Sequence, residues 1–191
     1  MCESGLMVGD DVLESGARED LSHLRGIKIL VADLHPIIAD VMTIILNSSG
    51  FSAFSAHNVS EAIRIASEKA LDVAFLELLI GETDAIDAAE RILAVQPYCR
   101  IVIWTGWIEP VLSWVYHEAK ERFGGCDLIP KPIPPSRIIR IAQGEPVLYE
   151  PWAWLIGEDC LSGSRLHEYL REARDLVLKL MKEQSHSEGK R

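Results

Sequence analysis

Residues 71–81 read Leu-Asp-Val-Ala-Phe-Leu-Glu-Leu-Leu-Ile-Gly, and this stretch decides the fold. Val73, Ala74, Phe75 and Leu76 run without a polar interruption between Asp72 and Glu77. A strand that is apolar at every position is buried on both faces, the pattern of a central strand in a parallel sheet. Glu77 stands where that strand runs out, and the carboxyl ends of parallel strands are where such sheets carry their chemistry. Taken alone, Glu77 is either a solvated residue closing a strand or the central group of a site.

The same pattern repeats on both sides of this stretch. Before it, residues 27–32 form a buried-type strand ending at Asp33, and Pro36 opens a helix at a position where a missing N–H costs nothing. Ile37, Val41, Ile44 and Ile45 give that helix its apolar stripe, and Gly50 stops it. Residues 51–56 are a short strand, and Asn58 with Glu61 makes a capping box for a helix that turns Ala62, Ile63 and Ala66 inward. After it, a helix is expected from about Thr83 to Val95, with Ala85, Ala89, Ile92 and Leu93 on its inner face. Residues 100–104 are a further all-apolar strand ending in Thr105-Gly106. Pro110 starts a helix with the stripe Leu112, Val115, Ala119 and Phe123, which Gly124-Gly125 ends. Residues 127–129 are a short strand closed by Lys131-Pro132, and residues 136–142 supply a last helix. Strands alternating with helices through short connections mean right-handed crossovers and a doubly wound parallel α/β sheet. Asp33, Glu77, Thr105 and Lys131 then fall at the ends of strands along one edge.

Composition narrows the class. An apolar share of 48% supports a packed core in a chain of 191 residues, and a net charge of -10 argues against nucleic-acid binding as the main activity. No apolar run reaches the length of a membrane span, and the first residues carry no secretory signal pattern. Cys2, Cys99, Cys126 and Cys160 are scattered without metal-ligand spacing, so reduced thiols and a cytoplasmic location are expected. Residues 1–24 are acidic and glycine-containing and read as a mobile arm; residues 25–144 form the domain, and residues 145–191 are an extension.

The strings ILVADLHP (29–36), LDVAFLE (71–77), IVIWTG (101–106) and GGCDLIPKP (124–132) resemble a response-regulator receiver domain, the (βα)5 module of two-component signalling. The resemblance implies a flavodoxin-like sheet of strand order 2-1-3-4-5 over residues 26–142. It also implies a site in which an aspartate after the third strand accepts a phosphoryl group, two acids after the first hold Mg²⁺, and a hydroxyl and a lysine bind the phosphoryl oxygens. Phosphoryl transfer depends on such positioning and charge neutralisation. Thr105 matches the hydroxyl position, and Lys131, before a Pro132 whose peptide bond is expected to be cis, matches the lysine. Asp33 matches the first acid, but Leu34 replaces the second and Glu77 the phosphoacceptor aspartate. The extra methylene moves the carboxylate outward by roughly 1.5 Å, against a positional tolerance of about 0.5 Å in a preorganised site. Gly81 stands in the following loop where the family favours proline. Leu79 and Trp107 occupy the positions that tune access to the site and are expected to cover it, and Leu128 replaces an aromatic that in many receivers swings inward.

The expectation is an atypical receiver without a working phosphorylation switch. No catalytic residue and no cofactor are expected; Asp33 and Glu77 are the candidate ligands for any residual Mg²⁺. Glu77, reaching Lys131 and Thr105, could stand in for the phosphorylated state. Function is read as a phosphorylation-independent protein–protein interaction module in bacterial signal transduction, with a small-molecule sensor or residual phosphotransfer as alternatives. In the extension, Leu148, Tyr149, Trp152, Trp154, Leu155 and Ile156 form an aromatic-apolar segment that packs on the domain or offers a patch to a partner. Leu166, Leu170, Ala173, Val177 and Leu180 make a helical seam, with Asp175 and Lys179 as an i,i+4 pair. That seam is expected to pair two copies, so the expected partners are signalling proteins and a second copy, without nucleic acid or membrane.

Overall fold

The structure is a computed structural model that describes residues 26–81, 83–106 and 111–147, together with Asp175 and Lys179. The chain runs β1 (Lys28–Ala32), α1 (Pro36–Ser48), β2 (Ser52–Ala56), α2 (Val59–Glu68) and β3 (Val73–Leu76). It continues through the short strands β4 (Leu79–Ile80) and β5 (Thr83–Asp84) to α3 (Ala85–Val95), β6 (Arg100–Thr105), α4 (Val111–Phe123), β7 (Asp127–Pro130) and α5 (Pro135–Ala142). Five strands make one parallel sheet in the order β2-β1-β3-β6-β7, the doubly wound order implied by the sequence.

Single-residue alternation along the strands divides the core into two layers. Ala74 and Leu76 of β3 join Leu30, Ile103 and Leu128 under α2, α3 and α4. Val73 and Phe75 point the other way, with Val31, Val102 and Trp104, under α1 and α5. Phe75, Leu30, Leu76 and Ile103 are fully buried, and each such side chain contributes roughly 1.5–3 kcal/mol.

The register positions the site. Ala32 lies beside Leu76 and Ala56, Leu76 beside Ile103, and Thr105 beside Pro130. The residues that follow these strands, Asp33, Glu77 and Lys131, therefore leave the sheet at one edge.

Local chemistry sets the helix starts. Asn58 Oδ1 accepts from the Glu61 N–H at 2.9 Å, and Glu61 returns a carboxylate oxygen to the His57 N–H at 2.8 Å, a capping box whose return bond falls one residue early. Asp84 caps α3 by accepting from Asp87 N–H at 2.9 Å. Burial pushes the Asp84 carboxyl above its ordinary value, against the opposing pull of the Asp87 N–H.

Two sequence expectations are corrected. On α1, Ile37 and Ile44 are 77% and 64% exposed and Val41 is exposed as well, while Ala39, Met42 and Leu46 face the sheet. Both sets have helical spacing, and the one that includes small Ala39 lets the helix lie close to the strands. The third helix begins at Ala85, not near Thr83, because Thr83 and Asp84 pair antiparallel with Ile80 and Leu79. Gly81, at φ +70°, turns this tight hairpin, a conformation that only glycine adopts freely.

No helix among the described residues is long and apolar enough to cross a membrane. The amino-terminal arm, Trp107, the aromatic segment and the carboxy-terminal seam lie outside the described residues. Asp175 and Lys179 are both helical and exposed.

Candidate functional site

Lys131 is the centre of the edge defined by the register. Its Nζ lies 2.6 Å from Asp33 Oδ2 and 2.5 Å from Glu77 Oε2. The Asp33 side chain is fully buried, and those of Glu77 and Lys131 are only 14% and 17% exposed. The other oxygen of each acid is also engaged. Asp33 Oδ1 accepts from the His35 N–H at 2.9 Å, and Glu77 Oε1 accepts from the Leu78 N–H at 2.8 Å. Charge-assisted bonds of this kind are short and about twice as strong as neutral ones.

The backbone fixes this arrangement from three sides. Asp33 N–H donates to Ala56 O, Glu77 N–H to Ala32 O, and Lys131 N–H to Thr105 O at 2.7 Å. The Lys131–Pro132 peptide bond is cis, as the resemblance implies. Below the ammonium lies the Trp104 ring, its centroid 4.1 Å from Nζ, and Phe75 meets that ring edge-on.

Above the ion cluster is a cleft of about 390 Å³. Leu34, Ile38 and Leu79 form its apolar wall, and His35, Glu77 and Lys131 its polar wall. Leu79 is almost wholly buried while lining this cleft, and Leu34 brings carbon where a second acid would bring an oxygen donor. One strand further out, His57 Nε2 and Asp40 Oδ1 are 2.9 Å apart. Bonds from His57, and then Ser55, hold the Asp40 carboxyl below its ordinary value.

Of the residues singled out in the sequence, Asp33, Glu77 and Lys131 form one hydrogen-bonded cluster. Thr105 ends the neighbouring strand, wholly buried, with its carbonyl on Lys131 N–H. Leu128 is buried in the layer under α2, α3 and α4. Three participants carried no usable signal: the His35 and Leu78 N–H groups, because every residue has one, and the Trp104 ring, because an all-apolar strand does not reveal which face a residue takes.

The sequence profile of the family described as "Response regulator receiver domain" matches residues 29–143. The chemotaxis protein CheY of Thermotoga maritima is 25% identical over 115 residues, which are 60% of this chain and 92% of that protein. A two-component response regulator from Clostridium difficile is 26% identical and superposes with a TM-score of 0.55, covering 62% of this chain and 93% of its own. A response regulator from Burkholderia pseudomallei, solved with a phosphorylated aspartic acid, calcium ion and citrate, is 21% identical. It gives a TM-score of 0.53 over 64% of this chain and 77% of its own, a likeness of fold. The chain belongs to the response regulator receiver domain family. It carries a receiver domain of two-component signalling.

Proposed function

We propose that this receiver is an interaction module of bacterial signal transduction that works without accepting a phosphoryl group. The observation that carries this reading is the engagement of both acids: each of the four carboxylate oxygens of Asp33 and Glu77 accepts a hydrogen bond, and Lys131 bridges the pair. Phosphoryl transfer to a carboxylate needs an oxygen placed in line with the phosphorus and cations to neutralise the charge that spreads over the group in flight. Glu77 is one methylene longer than the aspartate that the resemblance implies, and its two oxygens are held by Lys131 and the Leu78 N–H. The donor set also fits Mg²⁺ poorly. That ion demands octahedral oxygen ligands, and Leu34 offers none while Lys131 occupies the space between the two acids.

In this reading Glu77 supplies a standing charge of about -1 opposite Lys131, where a phosphoryl group would add roughly -1.5 to -2. The domain carries no catalysis of its own, acts in the cytoplasm, and recognises a signalling protein. The seam from Leu166 to Leu180 pairs two copies.

Calorimetric titration with Mg²⁺ and beryllofluoride tests the reading. The wild type is expected to give no saturable heat, and Leu34→Asp/Glu77→Asp is expected to acquire saturable Mg²⁺ binding. Saturable binding by the wild type, with labelled phosphate recovered on Glu77, would overturn it. A second reading, a small-molecule sensor, is supported by the cleft, whose 390 Å³ and apolar wall lie in the range of ligand pockets. It expects a thermal shift with a metabolite fraction that Ile38→Trp abolishes.

A further inference from the structure

Among the described residues, β2 and β7 are the outer strands of the five-stranded sheet. An outer strand presents unpaired N–H and C=O groups to any chain that can pair with them. The bonds to the inner neighbour show which groups those are. In β2, Ser52 N–H donates to Ile27 O and Ala56 O accepts from Asp33 N–H, so Ser52, Phe54 and Ala56 turn their backbone groups inward. Ala53 and Ser55 turn theirs outward. In β7, Lys131 N–H donates to Thr105 O, so Asp127 and Ile129 also face inward, and Leu128 and Pro130 face outward. Pro130 has no N–H to offer, which blunts that edge. β2 has no such residue. Residues 51–56 read Phe-Ser-Ala-Phe-Ser-Ala, without charge, proline or glycine, the composition of a segment prone to strand addition.

A side chain closes this edge instead. Asn47 Oδ1 accepts from the Ala53 N–H at 2.8 Å, and Asn47 Nδ2 donates to Ala53 O at 3.2 Å. One amide thus takes both outward groups of Ala53, as the peptide group of a further strand would. Two turns earlier on the same side of α1, Asp40 accepts from the Ser55 hydroxyl and lies 2.9 Å from His57 Nε2. Helix positions 40 and 47 therefore meet positions 53, 55 and 57, and the polar side of α1 follows the outer margin of β2.

We propose that Asn47, with Asp40 beside it, guards β2 against strand addition by a second copy of this chain. A second copy is the occupant because the edge is self-complementary. Two β2 strands set antiparallel about a two-fold axis at Phe54 place Ala53 of each copy against Ser55 of the other, and each such pair exchanges both of its hydrogen bonds. The chain carries a net charge of -10, but this uncharged strand brings no repulsion to the contact. The inference is independent of how Glu77 and Lys131 work.

The full chain is tested by sedimentation velocity, which reads mass, and by nuclear magnetic resonance, which reads exchange of the Ala53 amide. In the wild type that amide is expected to exchange slowly at every concentration. Asn47→Ala is expected to speed the exchange by about tenfold in dilute solution, the factor one lost hydrogen bond allows. As its concentration rises, its mass is expected to reach twice that of the wild type, with Ala53 slowed again. Asn47→Ala/Ala53→Pro is expected to return to the wild-type mass, because proline removes the outward N–H and leaves the bonds to β1 in place. Asn47→Ser replaces the alanine variant if circular dichroism shows that variant misfolded. Fast Ala53 exchange in the wild type, which needs no variant to fold, would overturn the proposal. So would a folded Asn47 variant of unchanged mass, which reduces Asn47 to a brace of the α1–β2 turn, or an association that Ala53→Pro leaves intact.

Discussion

Each end of the sheet holds one cation between strands, and the two are built differently. At the amino end, Arg100 Nε meets Asp127 at 2.6 Å while its other nitrogens meet two backbone carbonyls. One guanidinium faces one carboxylate, both about a quarter exposed. At the carboxyl end, one ammonium faces two carboxylates, one of them fully buried. The first is a stitch: its charges balance, and water reaches it if it opens. The second sets two carboxylates against one ammonium inside the protein, with a backbone N–H on each acid.

Substitutions can break this comparison. Lys131→Ala should have the largest effect. It leaves Asp33 and Glu77 buried and facing each other, and urea unfolding should report a loss of about 3–5 kcal/mol. In that background Glu77→Ala should recover part of the loss, because it removes a repulsion. Arg100→Ala should cost less, about 1.5–3 kcal/mol, since the carboxylate among its three acceptors is about a quarter exposed. Adding Asp127→Ala there should change little. A loss at Arg100 exceeding that at Lys131 would reverse the ranking of the two ends.

The smallest effect is at the His57–Asp40 pair, on the same edge as Lys131 but open to water. The folded state lowers the Asp40 carboxyl below its ordinary 3.8, chiefly through the bond to His57. Its stabilising contribution is therefore full above pH 3.8 and lost as pH falls through the lowered value. Asp40→Asn should lower the melting temperature slightly at neutral pH and flatten the acid limb below about pH 4, so that the two profiles converge at low pH.

The sheet was legible because β1, β3 and β6 are apolar on consecutive residues, and because an acid, a threonine or a lysine marks where strands end. The site residues Asp33, Glu77 and Lys131 followed from those ends. The faces of α1 were not legible, since Ile37-Val41-Ile44 and Ala39-Met42-Leu46 have equivalent spacing and hydrophobicity favours the wrong one. The β4–β5 hairpin escaped notice because two-residue strands have no periodicity. The cation–π seat of Lys131 on Trp104 escaped because both neighbours of Trp104, Ile103 and Thr105, are buried as well, so burial gives no clue to direction.

The engagement of all four carboxylate oxygens of Asp33 and Glu77 also bears on descent. Under the proposed reading, restoring aspartate at position 77 leaves the metal one acid short, and restoring an acid at position 34 adds a third negative group beside an over-long Glu77. On that reading the two positions are coupled, since an acid at 34 and an aspartate at 77 would serve a metal only together.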